Sequence, residues 1–282
     1  CHMSIGLTVA KFIVDHKDEL CGRIKIVFQP AEEGVRGANA VAESGVLDDV
    51  DYFVGSHIGM VAKYGEVVID PWGFLCTTKF DVTYTGKPAH AGIEPNAGRN
   101  ALAAACSATL QLLGIPRHGS GMTRVNVGML NAGKGRNVIP PNATMVMEVR
   151  GETAEINDYM SDQAMAIIKG NAISYGVDYD VRKMGAACDM KNDPDMIDAL
   201  REVAKGIPEI KTITEKANFG GSEDASLLAR RVKDHGGKVA FFVNGADREA
   251  GHHQFNFDVN EEALDTGFKM FAGMVKKICG RK

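Results

Sequence analysis

No run of about 18 consecutive apolar residues occurs in this chain, so nothing in it reads as a membrane-spanning helix. A leader pattern is lacking as well. Cys1-His2-Met3-Ser4 has no charged region followed by an apolar one, and the start is not expected to be a signal peptide. Basic charge is not in excess: 32 Lys and Arg stand against 36 Asp and Glu, which argues against a nucleic-acid footprint or a polybasic membrane patch. The cysteines, Cys1, Cys21, Cys76, Cys106, Cys188 and Cys279, form no CxxC pair. That scatter argues against a disulfide framework or a zinc knuckle and points to reduced thiols in a cytoplasmic setting. Most of them read as buried small apolar residues, with Cys1 kept open as a candidate ligand. Internal repeats, low-complexity tracts and long linkers are also missing.

What is present suits a folded protein with a sizeable core: 45% hydrophobic and 24% charged residues over 282 positions, a length comfortable for two domains. The chain is organised around Phe28-Gln29-Pro30-Ala31-Glu32-Glu33-Gly34. Before it, Arg23-Ile24-Lys25-Ile26-Val27 alternates as a strand, and after it Val35 to Ser44 reads as a helix. Neighbours on extended chain point to opposite sides, so one carboxylate of the pair can bind a metal while the other faces a water as general base. A solvated acidic turn is the plain alternative. Upstream, residues 4–20 form an amphipathic helical pattern through Ile5, Val9, Phe12 and Ile13, with no strand before it.

Downstream, Tyr52-Phe53-Val54-Gly55 is a short strand that runs into Ser56-His57-Ile58-Gly59. A histidine at that place lies where ligands bind in open α/β sheets. From Cys76 the texture changes. Strands are expected over 78–86, 123–130, 143–150 and 178–183, with helices over 100–113 and 153–175. This β-α-β-β-α-β order is the ferredoxin-like arrangement, and it reads as a domain inserted at 77–184. Pro194 to Lys205 is then helical, Gly220-Gly221-Ser222-Glu223-Asp224-Ala225 opens a helix whose amides suit either an anion or a simple cap, Lys238 to Val243 is a buried strand, and Glu261 to Ile278 closes the chain. Glu33, His57 and one of His252 and His253 are ligand types for zinc or manganese, each at a strand-to-loop junction, and Glu32 is placed as the base.

PAEEG, GSHIG, GKPAHAG, GRNVIP, GGSEDA and a late HH before FDVNEEAL occur here in that order. In this the sequence resembles the dinuclear metalloamidases, the group of carboxypeptidase G, the aminoacylases and the auxin-conjugate and N-acyl amino acid amidohydrolases. The resemblance implies an α/β fold with a split catalytic domain (1–76 and 185–282), a mixed sheet flanked by helices, and a ferredoxin-like lid that dimerises. It implies two divalent metal ions, zinc or manganese. Glu32 is implied as general base, Glu33 and His57 as metal ligands, and His253 as the late ligand with His252 as second choice. His90 is implied as the lid histidine that reaches the active site of a second copy and steadies the oxyanion there. Asn137 and Arg150 would hold the substrate's carbonyl and carboxylate, and Gly220, Gly221 and Ser222 would offer amides to that carboxylate. Outside the motifs these residues have plain readings too: a loop cap for Asn137, a surface charge for Arg150, a turn residue for His90.

The sequence departs from the family at its start. The family's CGHDGH-like segment supplies a cysteine and a histidine ligand, and laying His2 on its last histidine puts both ligands upstream of Cys1. The chain as given is therefore expected to lack two ligands and several strands. The expected reaction is hydrolysis of an amide between an acyl or aroyl group and an amino acid, with p-aminobenzoyl-glutamate-like substrates favoured. The expected partners are a small-molecule substrate and a homodimeric second copy bound through the lid, or a second, different subunit. Neither nucleic acid nor membrane is expected. A dipeptidase or carboxypeptidase of the same group, and a metal-free, non-catalytic dimeric binding protein, are the alternatives.

Overall fold

In the computed structural model, residues 1–251 and 254–281 are described. Their elements in chain order are α1 (His2–Asp15), α2 (Gly37–Glu43), β1 (Tyr52–Ile58), β2 (Glu66–Trp72), β3 (Cys76–Thr85), α3 (Ala101–Leu113), β4 (Thr123–Ala132), β5 (Asn142–Gly151), α4 (Ala154–Tyr175), β6 (Asp178–Ala187), α5 (Pro194–Lys205), β7 (Thr212–Asn218), α6 (Ala225–Asp234), β8 (Lys238–Asn244) and α7 (Glu262–Cys279). The fold is mixed α/β, with two four-stranded sheets flanked by helices.

The first sheet runs β1-β8-β2-β7. β8 pairs parallel with β1 and antiparallel with β2, and β2 pairs parallel with β7. Residues Val239 to Asn244 of β8 are all buried, because alternate side chains feed cores on opposite faces of the sheet. Ala240 and Phe242 join Leu200, Met270 and Met274 beneath α5 and α7. Val239, Phe241 and Val243 meet Phe74 and Phe219 on the other face. Each large side chain among these contributes about 1.5–3 kcal/mol by leaving water.

The second sheet is antiparallel throughout, in the order β4-β5-β3-β6. One face carries Phe80, Val82, Tyr84, Met145, Met147 and Val149 against α3 and α4. The alanines of α3 (Ala101, Ala104, Ala105, Ala108) let that helix approach closely. Asn100 and Thr153 start the two helices by accepting bonds from the Ala103 and Ile156 amides, a role suited to their short polar side chains. The opposite face is charged and open to solvent, with Lys79, Asp81, Glu148 and Arg150 half-buried along it.

Three expectations need correction. Arg23–Val27 pairs with no strand among the described residues: its ends are used otherwise, Arg23 and Lys25 forming ion pairs with Asp49 and Phe28 lying against Gly6 of α1. Alternation alone does not make a strand without a neighbour to complete its ladder. Conversely, β2 and β7 carry no clear pattern in the sequence. Pro71 interrupts the first, and the second is a polar edge strand whose residues stay largely exposed. Finally, only Cys76 and Cys188 are buried, while Cys1, Cys21 and Cys106 are exposed; all six are free thiols. No helix among the described residues is long and apolar enough to cross a membrane.

Candidate active site

The Glu32–Glu33 pair does not lie on extended chain. It sits in a single 3-10 turn, Glu32–Gly34, flanked by Ala31 at φ 58° and Val35 at φ 49°. A β-branched residue in the left-handed region is strained, and such strain persists only where surrounding contacts over-determine it. Those contacts are visible here. The Val35 amide donates to the Glu32 carbonyl at 2.6 Å, and the Val35 carbonyl accepts from the Ala186 amide at 2.8 Å, tying the turn to the end of β6. Gly185 and Gly37 permit the approach: an added Cβ would lie 2.6 Å from the Gly34 carbonyl oxygen in the first case and 1.6 Å from that of Pro30 in the second. The turn leaves Glu32 half-buried and Glu33 exposed, so the two carboxylates do diverge, though by a different geometry from the one alternation suggests.

Behind the turn stands a second acidic pair that sequence reasoning does not assign. Glu223 and Asp224, just before α6, are buried, and oxygens of Glu32, Glu223 and Asp224 all lie within 4.8 Å of one another. Asp224 accepts from the Gln29 side chain at 2.5 Å and from the Ala38 amide at 3.2 Å, so one carboxylate grips the chain on both sides of the turn. The only sequence signal is the acidic pair inside GGSEDA. The anion-binding option for that helix start finds no support, since Glu223 itself accepts from the Ala225 amide at 3.0 Å.

Burial pushes the Glu223 carboxyl from its ordinary 4.5 up to about 8, and the charges of Glu32, Asp224 and Glu33 push it the same way. Burial likewise raises Asp224, against the opposing bonds from Gln29 and Ala38. An acid whose folded-state pKa is raised favours the fold fully below its unfolded pKa and loses that contribution as pH climbs through the folded value. In metal-free protein, thermal stability is therefore expected to fall between pH 4.5 and about 8, and Glu223→Gln should flatten that fall. Calorimetry across this range checks it; identical slopes for both proteins would contradict the assignment.

The remaining sequence-predicted residues fall into separate groups. His57, near the end of β1, lies edge-on to Phe219 with ring centroids 5.3 Å apart and to His2 at 6.0 Å. Its Nδ1 is 2.9 Å from the Ile58 carbonyl, which can only accept, so the proton is on Nδ1 and the lone pair on Nε2. His90 and Asn137 are brought together by a bridge between their loops, the Ala91 amide donating to the Asn137 carbonyl at 2.9 Å. Arg150 is held by Glu148, which accepts from Nε at 3.0 Å and Nη2 at 3.2 Å. The Gly220–Ser222 loop is tied to Leu75: the Leu75 amide donates to the Gly221 carbonyl and the Ser222 hydroxyl to the Leu75 carbonyl. Gly220, at φ 69°, takes a conformation that favours glycine. Cys1 is exposed and belongs to no metal-competent cluster among the described residues. His252 and His253 lie outside the described residues.

A glutamate pair on a strained turn, a strand-end histidine and a second, antiparallel sheet find their counterpart in a known family. The model of peptidase family M20/M25/M40 matches residues 1–277. The chain belongs to that family. Among M20 relatives it is similar to a p-aminobenzoyl-glutamate hydrolase homolog of Haemophilus influenzae, 52% identical over 98% of this chain and 66% of that protein. It is also similar to an indole-3-acetyl-aspartic acid hydrolase of Enterobacter agglomerans, 46% identical over 93% of this chain and 61% of the relative. The solved structure of an aminobenzoyl-glutamate utilization protein from Klebsiella pneumoniae superposes with a TM-score of 0.89 at 40% identity, covering 98% of this chain and 67% of that one. The chain thus spans about two thirds or less of the curated relatives it matches.

Proposed function

We propose that the whole protein is a cytoplasmic, metal-dependent M20 amidohydrolase that cleaves the amide between an acyl or aroyl group and an acidic amino acid. The observation that carries this reading is the convergence of Glu32 with buried Glu223 and Asp224 at the strained glutamate turn. Charges of one sign gathered in a partly buried place suit a divalent cation, and carboxylate oxygens with an imidazole nitrogen suit zinc or manganese. Glu33, His57 and His253 would hold the two ions; the Nδ1–H of His57, directed at a backbone carbonyl, is the usual arrangement for a histidine that ligates through Nε2. Such ions supply Lewis acidity and lower the pKa of water.

The chain's own residues then divide the work. Glu32 takes the proton of the attacking water and returns it to the leaving amine as the C–N bond breaks, leaving a carboxylate and a free amino acid. Residues 77–184 form a ferredoxin-like lid, set into a catalytic domain made of 1–76 and 185–282. From that lid, Asn137 and Arg150 position the substrate's carbonyl and carboxylate, Arg through its paired donors. Gly220, Gly221 and Ser222 frame the carboxylate from the other domain. His90 donates to the oxyanion in the site of a second copy, so a homodimer is required. β4, at the edge of its sheet with Met129 and Leu130 exposed, is the strand available for pairing with that copy.

The acidic preference rests on the relatives, whose names specify glutamate and aspartate conjugates. The whole protein is expected to hydrolyse N-aroyl-glutamates with a higher kcat/KM than N-acyl-leucine. Faster cleavage of the leucine amide would overturn the acidic preference, and failure to cleave any amide in the presence of zinc or manganese would overturn the hydrolase reading.

A further inference from the structure

The TRVNVG segment has a sharply placed arginine to which the mechanism above gives no role. In the β4–β5 ladder Arg124 stands directly opposite Arg150. Residues directly opposite share a face, with Cβ atoms about 4.5–5.5 Å apart, and like charges so placed destabilise a sheet. The face is the charged one, since Val125 and Val127 turn toward the helices and leave Arg124 exposed on the other side. Glu148, one step along β5 on that face, faces Lys79 of β3 and spends both oxygens on Arg150. Three cations, Lys79, Arg124 and Arg150, therefore surround one carboxylate. Asp81 lies further along β3 and is matched by Arg182 of β6. The excess also sits beside the candidate active site, because Lys79 Nζ reaches the Gly34 carbonyl at 3.5 Å.

An uncompensated pair of positive charges on an open sheet face, next to the glutamate turn, is matched by a ligand bearing two carboxylates. An amide of glutamate or aspartate is such a ligand. We infer that Arg124 is the specificity residue for the side-chain carboxylate, while Arg150, held in register by Glu148, takes the α-carboxylate. Arg124 has the donors for this: its Nη1 donates to the Thr123 carbonyl at 2.8 Å, and a guanidinium has further N–H groups to offer. This inference rests on the amidohydrolase reading and adds the group that chooses among amino acids.

The test compares N-benzoyl-glutamate with N-benzoyl-glutamine, which have the same shape and differ in one charge, on the whole protein and its Arg124→Gln and Arg150→Gln variants. The wild type is expected to favour glutamate. In Arg124→Gln the glutamate-to-glutamine ratio of kcat/KM should fall by about 50-fold, the scale of a lost charge-assisted hydrogen bond. Arg150→Gln should lower both substrates alike, because both carry the α-carboxylate. Arg124→Lys should restore part of the ratio. An Arg124→Gln ratio equal to that of the wild type, whether both rates fall or neither does, would overturn the assignment and leave the amidohydrolase reading intact. A wild type that cleaves neither amide would remove the reading itself, and this inference with it.

Discussion

Glu32→Gln is expected to lower kcat by about three orders of magnitude while KM changes little, the range lost when a positioned general base is removed. Glutamine keeps the shape and the hydrogen-bonding atoms of the side chain, so the Glu32–Gly34 turn should survive. What it loses is a basic oxygen able to take a proton from water. The neighbouring acids are poor substitutes. Glu223 is buried, and its pKa of about 8 keeps it largely protonated in metal-free protein at neutral pH. Asp224 has its oxygens committed to Gln29 and the Ala38 amide. Retention of more than about a tenth of wild-type kcat would move the base elsewhere.

Gly37→Ala should be nearly as damaging by another route. The new methyl would be placed 1.6 Å from the Pro30 carbonyl oxygen, and because that atom is backbone no rotamer change relieves the clash. Either the chain before Glu32 or the start of α2 must move. Both are gripped by Asp224, so a shift at Gly37 is felt at Gln29 and Ala38 together. A destabilisation of about 3 kcal/mol is expected from such overpacking. Surviving folded protein should lose about 100-fold in kcat, since displacing catalytic groups by an ångström has that scale of cost. Melting temperature and steady-state kinetics check both parts. Wild-type values in each would show that the turn does not depend on this contact.

Much of the fold is legible in the sequence. The helices α3 and α4 announce themselves through alanine spacing and through the Asn100 and Thr153 caps, and the alternation in β3, β4 and β5 is clean because one face packs on helices while the other meets water. These are local signals. The glutamate pair is recognisable as chemistry, yet its backbone is not, because the left-handed conformations at Ala31 and Val35 are imposed by contacts with Ala186 and Asp224, far along the chain. Arg23–Val27 fails as a strand for the complementary reason, a correct pattern without a paired neighbour. Glu223 and Asp224 are visible as letters in GGSEDA, but nothing near them in sequence marks them as buttresses of a turn that lies before β1. The like-charged pair of Arg124 and Arg150 depends on a register that only the assembled ladder fixes.

If the turn bearing Glu33, together with His57, belongs to a metal-dependent hydrolytic centre, removing either side chain must cost metal and activity together. Elemental analysis of the desalted whole protein, beside its Glu33→Gln and His57→Ala variants, tests this most directly. About two zinc or manganese ions per chain are expected in the wild type, with fewer in each variant and hydrolysis falling in step. A wild type free of metal, or variants that retain the full complement, would contradict it.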